Sequence, residues 1–144
     1  MTTEDEIRRA VAILDSQRAQ LESLSRQDEL IQLSIEEHLR AKETTERCRK
    51  AGKGTEVLVP VGAGTFLFMS LTNDGKALIN VGSDIVLEED IDKVLEKIDK
   101  RIKQLSDANK NLVERIAELD KQVNTQTNFV QNLYNKLKDE NPEG

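Results

Sequence analysis

The chain has 144 residues and a net charge of −6, with 33% charged, 37% hydrophobic and 3% aromatic residues. That length suits one domain, yet so few large apolar side chains leave a compact core of this size incomplete unless other chains complete it. The acidic balance argues against a nucleic acid held by phosphate contacts and against an anionic membrane surface.

The lone cysteine excludes an internal disulfide, and MTTEDEIRRA lacks the apolar stretch of a secretory leader. A soluble, reducing, cytoplasmic setting is expected. Six of the seven glycines, and Pro60, lie between Gly52 and Gly82. Residues 1–50 carry 20 charges, 51–87 carry 5 and 88–144 carry 23. Two long charged segments therefore flank a short glycine-punctuated centre. Their interiors lack the helix breakers Gly and Pro, which predicts two very long helices, over 1–50 and 88–140.

The first segment is the less regular. Ile7, Val11, Leu14 and Leu21 follow one stripe, while Leu24, Ile31 and Ile35 follow another. That shift predicts a stammer. Arg18 and Asp28 fall at core positions, and Lys50-Ala51-Gly52 is the expected stop.

The centre reads as β. Runs at Glu56–Pro60, Thr65–Leu71, Ala77–Val81 and Asp84–Leu87 are separated by turns at 61–64, 72–75 and 82–83. Asp74-Gly75 is a hairpin signal, and two successive hairpins are expected. Thr65–Leu71 is apolar on both faces, so both need covering. Isolated hairpins are marginal in water, which points to sheet-mediated oligomerisation.

The second helical segment is the clearer. Ile91, Leu95, Ile98, Ile102, Leu105, Asn109, Leu112, Ile116, Leu119, Val123, Gln126, Val130, Leu133 and Leu137 recur in alternating steps of four and three. This narrow stripe marks a coiled coil. Glu88, Glu89, Asp90 and Asp92 are expected to favour its N-terminal dipole. The whole reads as α+β, mainly helical: a long antiparallel two-helix coiled coil with two central β-hairpins. Both termini then lie together at the tip, roughly 70 Å from the hairpins.

No motif for catalysis emerges. His38 is the only histidine and has no companion ligand, so a metal site is not expected. Cys48 lies near Arg47, Arg49 and Lys50 but has no neighbouring base. Gly62-Ala63-Gly64 lacks the third glycine of a dinucleotide loop, and Gly52-Lys53-Gly54-Thr55 lacks the earlier glycine of a phosphate loop. The chain is therefore not expected to be an enzyme or to carry a cofactor.

The words VLVPVGAGTFLFMSL and KALINVGSDIVLEEDIDKVLEKIDKRIKQL, between two heptad helices, resemble the α-type subunit of prefoldin, most closely its archaeal form. The resemblance covers essentially the whole chain as one prefoldin-type domain, 1–144. It implies a hexamer of two α-type and four β-type subunits whose hairpins form a β-barrel body. It also implies ATP-independent capture of unfolded proteins and their transfer to a group II chaperonin. By the same resemblance Val57, Val59, Phe66, Phe68, Ile79, Val81 and Ile85 serve oligomerisation. Client contacts fall at the tips, where Ile7, Val11 and Leu14 face Phe129, Val130, Leu133, Tyr134 and Leu137. A tip loosened near Arg18 and Gln126 would offer these side chains to a client. The competing reading is a non-chaperone scaffold subunit of a prefoldin-like assembly.

Overall fold

The computed structural model describes residues 2–72 and 74–141. The order is α1 (Thr3–Ala51), β1 (Glu56–Gly62), β2 (Thr65–Ser70), β3 (Lys76–Asn80), β4 (Val86–Asp90) and α2 (Ile91–Glu140). The fold is thus α+β and mainly helical, as expected. Asn73 of the expected turn and Pro142 lie outside the described residues. The chain forms two compact units, one from its first 33 residues with the segment after Ser106, the other from residues 34–106. Among the described residues no helix is long and apolar enough to cross a membrane.

In the first unit the helices pack antiparallel. Ile7, Ala10 and Leu14 of α1 bury against Val123, Val130 and Leu133 of α2, and Leu24 buries with Leu112 and Leu119. The expected stammer is absent. Ile7, Ala10, Leu14, Gln17, Leu21, Leu24, Asp28 and Ile31 are all buried or half-buried, in one unbroken alternation of three and four, while Arg18 is exposed. The shift was an artefact of following only large apolar residues. Ala10 and Gln17 occupy seam positions that such a reading passes over, while Asp28 is buried at the core position expected for it. All fourteen stripe positions of α2 are buried or half-buried.

A capping box starts α1. The Thr2 hydroxyl accepts from the Asp5 amide at 3.2 Å, and the Asp5 carboxylate accepts from the Thr2 amide at 3.3 Å. The Thr2 side-chain and backbone hydrogen bonds hold the Asp5 carboxyl below its ordinary value of 3.8. A carboxyl whose folded pKa is depressed stabilises above its ordinary value and loses that contribution as pH falls through the lower one. Amide protection at Glu4–Ile7 is therefore expected to weaken on acidification below the ordinary Asp range. Hydrogen exchange checks this, and Asp5→Asn is expected to remove that part of the pH dependence.

In the second unit α1 ends where expected. Gly52 takes φ +89°, a left-handed conformation that glycine adopts without strain, and its amide donates to the Cys48 carbonyl at 3.4 Å. β1 pairs antiparallel with β2, and β3 with β4, as two separate two-stranded sheets.

Asp74-Gly75 does not form a hairpin tip. It joins β2 to β3, which do not pair. The Asp74 carboxylate accepts from the Lys76 amide at 3.1 Å, and the Gly75 carbonyl accepts from the Ile91 amide at 2.9 Å. The turn chemistry thus serves the start of β3 and of α2. Residues 81–85 close the second hairpin instead, with the Val81 amide donating to the Ile85 carbonyl at 2.9 Å.

β4 is correspondingly displaced, and α2 begins at Ile91 rather than residue 88. Glu88, Glu89 and Asp90 are strand residues, so only Asp92 lies in the first helical turn. The strand wins because Leu78 and Ala77 supply backbone partners for Glu88 and Glu89, and Lys76 for Asp90. The inner face of this hairpin packs on α2: Ile79 buries with Val94 and Ile98, flanked by Ala77 and Ile102. Glu89 shares that face and accepts from Lys97 at 2.6 Å. Its second oxygen, Oε2, is buried without a hydrogen-bond partner. Lys97→Ala would strand this carboxylate, and a loss of about 1–3 kcal/mol is expected, measurable by thermal unfolding.

Candidate functional site

Two regions gather exposed apolar side chains, apart from Leu30, Leu33, Leu39 and Val113, which are exposed elsewhere on the helices. The first is the β1–β2 hairpin. Its register places Val57 and Val59 with Met69 and Leu67 on one face, and Leu58 and Pro60 with Phe68 and Phe66 on the other. Every residue of β2 is exposed, including Phe66 at 56% and Phe68 at 74%. Val57 and Val59 are half-buried. Both faces are apolar and both edges lack a further strand, so main-chain donors, main-chain acceptors and apolar area are all available to partners. The second hairpin is different in kind. Ile79 is buried against this chain's own α2, while Leu78, Val81, Ile85 and Val86 are exposed.

The second region is the end of the coil where the N-terminus of α1 meets the C-terminus of α2. The Thr3 hydroxyl donates to the Glu140 carboxylate at 3.0 Å there. Of the side chains expected to face clients, Ile7, Leu14, Val130 and Leu133 are buried in the seam. Val11 and Leu137 are half-buried and pack against it. Phe129 and Tyr134 are exposed, at 50% and 45%. Gln126 does not loosen the seam: its amide donates to the Ala10 carbonyl at 3.0 Å, which ties the helices together.

A groove of about 380 Å³ runs beside the seam, lined by Glu4, Ile7, Arg8, Val11, Tyr134 and Leu137. Its apolar lining, with Glu4 and Arg8 on the α1 side, suits an apolar side chain from another polypeptide. Ile13, 51% exposed, adds an apolar side chain that the sequence reading missed. It sits one position before the seam residue Leu14, as Phe129 does before Val130. That shared flanking position was the signal available in the sequence.

His38 is half-buried, with its Nδ1 2.7 Å from the Ser34 carbonyl. Cys48 is half-buried beside Thr44, Thr45 and Leu71, at a cavity of about 260 Å³. Among the described residues no cluster of His, Cys, Asp and Glu could hold a metal ion.

A family model described as "Prefoldin subunit" matches residues 4–136, which spans both helices and both hairpins. The chain belongs to the prefoldin family. Its curated relatives include α subunits of prefoldin from archaea. That of Pyrococcus horikoshii is 34% identical over 74% of this chain and 72% of its own length. That of Archaeoglobus fulgidus is 25% identical over 83% of this chain and 87% of its own. Among solved structures, a filamentous PFD from Methanocaldococcus jannaschii, determined by cryo-EM, superposes with a TM-score of 0.67. It is 26% identical and covers 82% of this chain and 95% of that one.

Prefoldins are a chaperone family, and this prefoldin chain has the α-type pattern of two hairpins between two long helices. The hairpin side chains left exposed are those a lone chain cannot bury. The seam side chains at the helix ends are already engaged.

Proposed function

We propose that this chain is the α-type subunit of a cytoplasmic prefoldin hexamer, two α with four β, that holds unfolded proteins without ATP and passes them to a group II chaperonin. The observation that carries the reading is that the chain has both a two-sided apolar β1–β2 hairpin and a separate apolar surface at the paired helix ends. Val57, Val59, Phe66, Phe68, Val81 and Ile85 enter shared β-barrels with partner subunits, and Ile79 supports the second hairpin from beneath. Client segments dock on Phe129, Tyr134 and the groove formed with Val11 and Leu137. Ile7, Leu14, Val130 and Leu133 shape that groove from within the seam.

Each contact is weak, and several coils acting together supply the affinity. Holding and release proceed by apolar burial alone, so no covalent step and no cofactor enter. Native mass spectrometry of the chain recovered from its own cytosol tests this reading. The expected particle holds two copies with four of a smaller coiled-coil subunit, and it suppresses aggregation of a denatured client.

A filament is the second reading. It is favoured by likeness to a filamentous PFD over 95% of that chain. A ladder of masses built from this chain alone would select it. A fixed complex with unrelated proteins and no client suppression would select a scaffold.

A further inference from the structure

The seam of the first unit carries a buried carboxylate. Asp28 is 9% exposed at a core position of α1. Its Oδ1 accepts from the Asn109 side-chain amide across the seam, and its Oδ2 accepts from Gln32 at 2.8 Å on its own helix. Both donors are neutral amides. The pair sits directly beyond the apolar cluster of Leu24, Leu112 and Leu119, with Ile31 next to it on α1.

Leu at both positions would fill the seam and remove the desolvation of a carboxylate, so stability alone does not account for this pair. A heptad seam of interchangeable aliphatic side chains is degenerate. Sliding one helix by seven residues re-forms similar packing. A single buried hydrogen-bonded pair is satisfied in one alignment only. In every other, Asp28 faces an aliphatic side chain, and an unpaired buried carboxylate carries the cost.

We propose that Asp28 and Asn109 form the register lock of the coil. The pair holds α1 and α2 of one chain to each other in a single alignment, and so sets which residues meet at the helix ends. This assignment is independent of what the assembly binds.

The test uses the full chain with Cys48→Ser, Thr3→Cys and Glu140→Cys. The two introduced thiols replace side chains that touch in the native register. A short bis-maleimide then reports alignment, since a one-heptad slip moves the sites roughly 10 Å apart. With Asp28 and Asn109 intact, efficient cross-linking within one chain is expected.

With Asp28→Leu and Asn109→Leu together, the thermal midpoint is expected to stay level or rise, while intrachain cross-linking falls at least threefold. The exchange Asp28→Asn with Asn109→Asp keeps one carboxylate and one amide, and is expected to restore the intrachain product. Unchanged cross-linking in the double-Leu chain would overturn the lock. A fall in cross-linking accompanied by a lower midpoint and lost helicity would also overturn it, since the pair would then be an ordinary stabilising contact.

Discussion

Phe68→Asp is expected to prevent assembly while leaving the isolated subunit folded. Phe68 is 74% exposed and belongs to no buried cluster of its own chain, so its apolar area stabilises only a complex. Burying a phenylalanine contributes about 1.5–3 kcal/mol, and an aspartate at the same place adds a desolvation cost. Together these weaken subunit association at least ~100-fold. Native mass spectrometry with a β-type partner is expected to show free subunits in place of the proposed hexamer. Helicity by circular dichroism is expected to remain within a few per cent of the parent. A full complement of hexamer would place the interface elsewhere and remove the β1–β2 hairpin from the assembly role.

The second large effect separates displayed side chains from seam side chains at the helix ends. Phe129→Ser with Tyr134→Ser removes exposed apolar area that the coil itself uses little. Client holding is expected to weaken about tenfold, because small losses at each contact multiply when several coils act together. The thermal midpoint should stay within about 2 °C, as surface substitutions away from packed features cost little. Leu133→Ala should behave in the opposite sense. Leu133 is 6% exposed in the cluster with Ile7, Ala10, Leu14, Val123 and Val130. Truncating it is expected to cost about 2–5 kcal/mol and to lower the midpoint by roughly 10 °C. Equal midpoint losses in the two variants, with equal losses of holding, would mean that capture depends on the folded coil and not on these two rings.

Composition and residue spacing specify the class, the two long helices, the four short strands and the two-sided apolar hairpin. Those features are local: helix breakers gather in the centre, the α2 stripe repeats with a period that only a paired helix uses, and Phe66, Leu67, Phe68 and Met69 alternate without a polar face. Tertiary structure decided what depends on a partner across space. Gln17 carries no hydrophobic signal and Ala10 only a small one, yet both complete the seam of α1 because α2 lies opposite them.

The same holds for Glu88, Glu89 and Asp90, which suit a helix N-terminus by charge but pair with β3, because strand hydrogen bonds and Lys97 satisfy them better. Asp74-Gly75 has the chemistry of a hairpin tip but joins two hairpins, since a turn signal specifies a local bend and not which strands pair. At the helix ends the spacing already sets Val130 and Leu133 in the stripe and Tyr134 outside it; helix pairing closes that stripe, so the first two are buried and the third lies beside the groove.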